Sequence, residues 1–203
     1  MIILRMLPDN VVFISGVHGT GKTTLKSELC KLPYVIGYEK CEMTQFDQIF
    51  ERQIRRIAKY RIDYERICNL AESNPDKIIL ADRCIYDAYA YLDTFLKLGW
   101  LKPEDYYDCL SMTRALFPTS EMSPRYVLQL TPPLSTIKEW LKKRQAEVGT
   151  KWCEKDENYL ETLYKRYEDS HLSGITKIAE TNPEKRFEIC KKYLHKLHNE
   201  VCK

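Results

Sequence analysis

The stretch Gly16-Val17-His18-Gly19-Thr20-Gly21-Lys22-Thr23-Thr24 decides the fold of this chain of 203 residues. It matches the phosphate-binding pattern G-x-x-x-x-G-K-[ST] in full. Residues 11–14 before it are apolar and β-branched and predict a buried strand, and residues 24–29 after it predict a helix. Such a strand–loop–helix turn directs backbone N–H groups and the positive end of a helix dipole at one point, where a polyphosphate binds.

The pattern assigns roles to two polar residues of the loop, Lys22 and Thr23, and predicts ATP and Mg²⁺ as cofactors. Lys22 would neutralise the β- and γ-phosphates, and the Thr23 hydroxyl would bind Mg²⁺. His18 lies where its backbone is needed more than its imidazole, so we do not expect it to act as a base. The predicted nucleotide-binding residues are Gly16, His18, Gly19, Thr20, Gly21, Lys22, Thr23 and Thr24. An accidental glycine turn is the alternative, and the flanking strand and helix argue against it.

Composition limits the class of protein. The 32 basic and 29 acidic residues give a net charge of +3, which argues against a dedicated nucleic-acid binder. The eight cysteines include no C-x-x-C pair and no zinc-type spacing, so they predict reduced thiols. No apolar run is long enough to span a membrane, and the N-terminal apolar stretch is too short for a signal peptide. We therefore expect a cytoplasmic protein with no membrane partner, built as one domain over residues 1–203.

Short apolar strands alternate with helical patterns along the rest of the chain. Four further strands are predicted at residues 34–38, 77–81, 126–130 and 175–178. The strongest helical pattern runs from Met43 to Ala71 with apolar residues three or four apart except for one step of two turns, and Pro75 ends it. The alternation predicts a parallel sheet covered by helices on both faces, with ligands bound beyond the carboxyl ends of the strands.

Asp82 and Arg83 directly follow the third predicted strand. A carboxylate there would lie beside the phosphate loop, where it could hold the Mg²⁺ shell or accept a proton from an attacking hydroxyl. Arg83 would stabilise charge on the transferred phosphoryl group. The alternative is an Asp that caps the next helix, with a solvated Arg behind it.

A basic helical segment at residues 137–144 is followed by a polar stretch, residues 145–156, and by a second helix from about Asn158. Two helices joined by a flexible basic loop predict a lid at about residues 144–157. Its closure would bring Arg144 and Lys151 onto ATP and exclude water, which competes with the intended acceptor. A solvated charged hairpin is the alternative.

Five residues are candidates for contact with an acceptor substrate: Glu39, Gln53, Arg56, Arg61 and Tyr86. Glu39 follows the second predicted strand and could contact a sugar hydroxyl. Gln53, Arg56 and Arg61 lie near the apolar stripe of the middle helix, and the ring of Tyr86 could stack on a nucleobase. A structural role is the alternative for each: the start of a loop, a solvated helix face or a packed core ring.

Together these features resemble the family of P-loop kinases that includes thymidylate kinase and the deoxynucleoside kinases, from about residue 10 to the end. The third strand of thymidylate kinases ends in Asp-Arg-Tyr, and deoxynucleoside kinases have Glu-Arg-Ser, an aliphatic residue and Tyr. Residues 82–86 here read Asp-Arg-Cys-Ile-Tyr, a hybrid of the two. The lid looks more like that of thymidylate kinase, on the residues Lys151-Trp152, Glu154, Tyr159-Leu160 and Tyr167. His18 stands where thymidylate kinases usually carry an acidic residue.

The resemblance implies an α/β fold, the P-loop NTPase three-layer sandwich. Its five-stranded parallel sheet has the order 2-3-1-4-5, with helices on both faces and a helical lid. It implies Mg²⁺-ATP-dependent phosphoryl transfer to a deoxynucleoside or a (deoxy)nucleoside monophosphate, thymidine-type first, with Asp82 orienting or deprotonating the acceptor. Homodimers are common in the family, although no stretch of the sequence identifies an interface. Two alternatives stay open: a nucleotide-binding switch or regulatory protein without a small-molecule acceptor, and a nucleic-acid end kinase.

Overall fold

The computed structural model describes residues 6–41, 48–118, 122–149 and 153–202. Strands and helices alternate along most of this part of the chain. In order they are β1 (Val11–Gly16), α1 (Lys22–Leu29), β2 (Val35–Gly37), α2 (Ile49–Ser73), β3 (Ile78–Asp82), α3 (Ile85–Lys97), α4 (Pro103–Leu116), β4 (Val127–Leu130), α5 (Leu134–Val148), α6 (Glu157–Glu168), β5 (Ile175–Ile178) and α7 (Pro183–Val201).

The five strands form one parallel sheet in the order β2-β3-β1-β4-β5, which confirms the predicted order. β1 is central: Ile14 pairs with Asp82 of β3, and Gly16 pairs with Leu130 of β4. Because the strands are parallel, the carboxyl ends of β1, β3 and β4 meet at one edge of the sheet. The phosphate loop therefore leaves from the middle of that edge, beside the end of β3.

Alternate residues of β1 face opposite sides of the sheet. Val12 and Ile14 pack in a cluster with side chains of α1 and α7, whereas Val11 and Phe13 pack in a cluster with side chains of α2. All six residues of β1 are buried, as expected for a central strand covered on both faces. The predicted three-layer arrangement of helices, sheet and helices is confirmed.

A third apolar cluster joins α2, α3, α5 and α6 beyond the sheet. The rings of Phe95 on α3 and Tyr159 on α6 stack with centroids 6.0 Å apart and planes 12° apart. The ring of Trp100, just after α3, lies 5.9 Å from Phe95 and 5.5 Å from Tyr159. This aromatic stack fixes the start of α6 against α3, close to the phosphate loop.

Three predicted boundaries can be compared with the described helices. The middle helix, α2, ends at Ser73, two residues before Pro75, whereas Met43 lies outside the described residues. Helix α5 continues to Val148, past residue 144, and α6 begins at Glu157. The lid stays a prediction, because residues 150–152 lie outside the described part. None of the helices in the described ranges has the length and apolar character needed to cross a membrane.

Candidate active site

The phosphate loop has a backbone path that glycine makes possible. Gly16 has a φ of +132°, and Gly19 and Gly21 have φ values of +76° and +82°. A Cβ atom on Gly16 would lie 2.6 Å from the backbone carbonyl oxygen of Leu130, so the loop passes directly against β4. Since α1 begins at Lys22, the loop delivers the N-terminus of α1 to the carboxyl edge of the sheet.

Lys22 holds the loop together from inside. Its ammonium group donates hydrogen bonds to the carbonyl oxygens of Gly16 at 2.8 Å and Val17 at 2.6 Å, and to the hydroxyl of Thr20 at 3.3 Å. Burial lowers the pKa of the Lys22 ammonium well below its ordinary value. On the other side of the loop, Arg186 of α7 donates to the carbonyl of Thr20 at 2.9 Å. The loop is thus held by two cationic side chains, and one of them, Lys22, lines a cleft.

That cleft lies over the N-terminus of α1 and encloses about 970 Å³ of space open to solvent. Its lining comes from the loop, α1, the segment after β2, the end of β3, α5 and the segment before α6. The lining residues are His18, Gly19, Gly21, Lys22, Thr23, Thr24, Lys40, Asp82, Arg83, Trp140, Arg144 and Glu154. The structure thus brings the predicted nucleotide-binding residues together with Asp82, Arg83 and Arg144. Gly16 and Thr20 lie in the loop behind this lining, and Lys151 lies outside the described residues.

A second cleft of about 1040 Å³ adjoins the first and shares three of its residues, Lys40, Asp82 and Arg83. Glu39, Cys41, Arg56, Lys59 and Tyr60 complete its lining. Its described walls therefore carry four cationic and two carboxylate side chains, an arrangement that suits a polar or anionic molecule. The shared residues form a junction between the phosphate loop and this second cleft.

Asp82 lies at the junction because β3 ends there, opposite Ile14 of the central strand. Its Oδ2 accepts a hydrogen bond of 2.6 Å from the ammonium group of Lys40. Burial by itself raises the pKa of the Asp82 carboxyl, but the nearby cations Arg83, Lys40 and Lys22 outweigh it and hold the pKa below its usual value. Asp82 is accordingly a carboxylate at neutral pH.

The same carboxylate fits a Mg²⁺ ion. Its Oδ1 is buried and has no hydrogen-bond partner among the described residues, while the Thr23 hydroxyl lines the same cleft. Within the described ranges no three His, Cys, Asp or Glu side chains cluster as a metal cage. Mg²⁺ commonly binds through one or two protein oxygens plus substrate phosphates and water, so two such oxygens suffice.

Arg83 is held in an uncommon backbone conformation. Its φ is +71°, a region that costs a non-glycine residue on the order of 1–3 kcal/mol. The backbone N–H of Arg83 donates to the carbonyl of Ile14 at 2.8 Å, which ties the turn to the central strand. Its guanidinium lies 5.3 Å from the ring centroid of Tyr91 and donates to the carbonyl of Gly16 at 3.4 Å. The turn therefore directs Arg83 back toward the phosphate loop.

His18 connects the loop to the helices above it. Its Nε2 lies 2.9 Å from the hydroxyl of Tyr159 and 3.2 Å from that of Tyr91, and its Nδ1 lies 4.0 Å from Glu154. Burial, followed by the positive charges of Arg83, Lys22 and two further arginines, lowers the pKa of His18 well below 6.5. The imidazole is therefore neutral at physiological pH, and its role here is to join three elements.

Arg144 lines the first cleft from α5, as expected for a lid cation, but its guanidinium is paired with Glu154. Glu154 lies within the predicted lid stretch and is almost completely buried. The sequence pattern indicated Arg144 and gave no sign of this partner, because the two residues meet only when α5 and the segment before α6 fold together.

The five candidates for acceptor contact fall in different places. Arg56 and Glu39 line the second cleft, although the Glu39 side chain is 90% exposed and paired with Lys26. Gln53 is buried next to Arg56, which donates to its Oε1 at 3.0 Å.

Arg61 and Tyr86 do not face either cleft in the described structure. Arg61 is paired with Glu65 on the same helix. The hydroxyl of Tyr86 is directed at the carbonyl of Pro124, and Tyr86 lines a separate cavity with Tyr89 and other residues. The structure therefore gives no support to base stacking by Tyr86 or to a substrate contact by Arg61.

Sequence comparison finds no relative: no protein-family model and no curated protein matches the chain. Comparison of structures does find neighbours. The structure of deoxyadenosine kinase from M. mycoides with bound dCTP matches with a TM-score of 0.71 at 19% identity, covering 92% of this chain and 99% of that one. The same kinase with bound dATP gives a TM-score of 0.67 at 20% identity, covering 91% and 98% of the two chains.

A third structure of that kinase, with the products dCMP and a flexible dCDP, gives a TM-score of 0.60 at 18% identity over 92% and 99% of the chains. At an identity this low, the likeness concerns the fold alone. It extends over nearly the whole of both chains. The five-stranded parallel sheet with its central phosphate loop agrees with that likeness. The chain therefore has the fold of the phosphate-loop deoxynucleoside kinases.

Proposed function

We propose that this protein is a Mg²⁺- and ATP-dependent kinase that transfers the γ-phosphoryl group to a deoxynucleoside or a (deoxy)nucleoside monophosphate. The observation that carries the proposal is the meeting of two clefts at Asp82, Arg83 and Lys40. One cleft contains the phosphate loop and the other contains a separate set of polar side chains. A protein that only binds or hydrolyses ATP needs the first cleft and has no use for the second.

Lys22, the loop N–H groups and the N-terminus of α1 would bind the phosphates of ATP. The Thr23 hydroxyl would hold Mg²⁺, which neutralises charge on the phosphates when bound, and Asp82 would lie beside its shell. Trp140 and Arg144 line the same cleft, so they would contact the rest of the nucleotide.

In the transfer step, an acceptor hydroxyl oxygen forms a bond to the γ-phosphorus while the bond from that phosphorus to the β–γ bridging oxygen breaks. The proton of the hydroxyl passes to the Asp82 carboxylate, and ADP leaves. The low pKa of Asp82 makes it a weak base, which suits a step in which the hydroxyl becomes acidic only as its bond to phosphorus forms. An acceptor monophosphate attacks with an ionised oxygen, and Asp82 would then orient it through Lys40.

The acceptor would lie in the second cleft. Arg56 lines that cleft, with its guanidinium 4.2 Å from the ring centroid of Tyr91. Beside it, Nε2 of Gln53 is buried with no hydrogen-bond partner among the described residues. A buried amide donor without a partner is unfavourable by about 1–3 kcal/mol. Gln53 is not among the residues that line the cleft, so a base or sugar oxygen would reach it past Arg56. These two side chains support an acceptor with hydrogen-bonding edges, as a nucleobase has. The solved neighbours, which bind dCTP and dATP, are consistent with that class.

The test is ADP formation from Mg²⁺-ATP with and without single acceptors: the four common deoxynucleosides and their 5′-monophosphates. We expect at least one acceptor to raise ADP formation many-fold, and Lys22→Ala to abolish that increase. Lys31→Ala, which removes an exposed lysine paired with Glu28, is the matched control and should retain full activity. ADP formation that no acceptor changes would contradict the proposal and favour a nucleotide-binding switch.

A further inference from the structure

Asp87 is a fully buried carboxylate next to the proposed transfer site. It lies in the first turn of α3 with an exposed fraction of 0%. Its Oδ1 accepts three hydrogen bonds: from the hydroxyl of Ser15 at 3.0 Å, from Nη1 of Arg83 at 2.8 Å and from the hydroxyl of Tyr167 at 2.6 Å. Its Oδ2 accepts the backbone N–H of Cys84 at 2.9 Å. Three segments, β1, the turn between β3 and α3, and α6, therefore converge on this side chain of α3.

The pair between Asp87 and Arg83 is the charged contact of this network. Nη1 of Arg83 also lies 3.3 Å from the hydroxyl of Tyr167, which itself donates to Asp87. Burial, and then the charge of Asp87, raise the pKa of Tyr167 well above its ordinary value, so its hydroxyl stays a neutral donor. One nitrogen of Arg83 is thus fixed by protein groups, and the residue lines both clefts at their junction.

We propose that Asp87 is a positioning residue that aims the Arg83 guanidinium at the transferred phosphoryl group. This inference rests on the proposed function. Arg83 leaves β3 through a backbone turn of positive φ, so its side chain has no strand or helix to orient it. A buried carboxylate that receives one guanidinium nitrogen supplies that orientation, and preorganised cations of this kind are effective because they need no rearrangement during the reaction.

The alternative to positioning of Arg83 is a purely structural role for Asp87. Its Oδ2 caps the first turn of α3, so loss of the carboxylate removes a helix cap as well as the Arg83 contact. The two roles differ in one respect. A cap acts on the fold whether or not Arg83 is present, whereas a positioning residue has nothing to act on once the guanidinium is gone.

The experiment is a double-mutant cycle on kcat and on KM for ATP, with Asp87→Asn, Arg83→Gln and the double variant. We expect Asp87→Asn to lower kcat by about 10- to 100-fold with KM for ATP within about threefold of wild type. Adding Asp87→Asn to Arg83→Gln should change kcat by no more than about twofold. Ser15→Ala, which removes one hydrogen bond from the same oxygen and leaves Arg83 paired, is the matched control and should keep kcat within about twofold.

The comparison of Arg83→Gln with the double variant decides the matter even if Asp87→Asn alone does not fold, because the glutamine amide can still donate a hydrogen bond to Asp87 and the double variant leaves no charge without its partner. A double variant about tenfold or more below Arg83→Gln overturns the role of Asp87 and leaves the kinase proposal standing. Full kcat in a folded Asp87→Asn variant overturns it as well. A wild-type protein without acceptor-dependent ADP formation overturns the proposed function and the role of Asp87 with it.

Discussion

Replacement of Asp82 by asparagine tests the junction of the two clefts most sharply. The amide oxygen can still accept the hydrogen bond from Lys40, so the side chain keeps its place. What disappears is the negative charge among Arg83, Lys40 and Lys22, together with the capacity to accept a proton. A general base contributes about 10²- to 10⁴-fold to a rate, so with a deoxynucleoside acceptor we expect kcat to fall by that factor, equivalent to about 3–5 kcal/mol of transition-state stabilisation.

The assay is steady-state ADP formation with the best acceptor, with kcat and both KM values determined separately. KM for ATP should stay within about threefold of wild type, because the phosphate loop is untouched. Asp93→Asn is the control: this aspartate on α3 pairs with Arg166 at 3.5 Å, away from both clefts, and its loss should leave kcat unchanged. Full turnover of Asp82→Asn would refute the assigned role, and so would a loss confined to KM for ATP.

Two further predictions concern stability. Because the pKa of His18 is lowered in the folded protein, its contribution to stability is complete above about pH 6.5 and is lost as the pH falls through the lowered value. The melting temperature of wild type should therefore fall more between pH 7.5 and 5.5 than that of His18→Gln, and equal falls would contradict the buried neutral imidazole. Gly16→Ala adds a methyl group 2.6 Å from the carbonyl of Leu130 at a φ of +132°, so the free energy of unfolding should decrease by about 2–4 kcal/mol. Differential scanning fluorimetry should show a fall of roughly 5–15 °C, larger than for Gly99→Ala, where a Cβ meets nothing within 4 Å.

Local signals account for what the sequence could predict. The strand, turn and helix at residues 11–29 depend on β-branched residues, glycines and one lysine that are neighbours in the chain, so the pattern is readable without the fold. Asp82 could be placed beside the loop because parallel strands bring their carboxyl ends to one edge. The helical segment at residues 137–144 and the helix from about Asn158 correspond to parts of α5 and α6, because a helical pattern depends on residues that are neighbours in the chain.

What the sequence could not indicate depends on contacts between distant segments. Lys40 reaches Asp82 across 42 residues only because β2 lies next to β3. Asp87 is an ordinary helix-cap residue in the sequence, and Ser15 and Tyr167 come from 72 and 80 residues away. Tyr86 looked suited to stack on a base, but a helix turns about 100° per residue, so Tyr86 and Asp87 face different sides of α3, and Tyr86 lines a separate cavity.

Helix α4 shows the limit of periodicity. It runs from Pro103 to Leu116, yet its fully buried residues are only Cys109 and Thr113. With so few apolar positions on one face, the 3.6-residue pattern is too weak to stand out. Its first turn does carry Pro103 and two acidic residues, which is a sequence signal for the start of a helix.

The most direct test of phosphoryl transfer to an acceptor follows the γ-phosphoryl group itself. ATP labelled at the γ-phosphorus is incubated with the protein, Mg²⁺ and each deoxynucleoside or monophosphate, and the label is located by chromatography and mass spectrometry. We expect the label on the acceptor, with one ADP formed for each phosphorylated product, and we expect Lys22→Ala to form neither. Label found only in inorganic phosphate, at the same rate with and without acceptor, would contradict transfer to an acceptor.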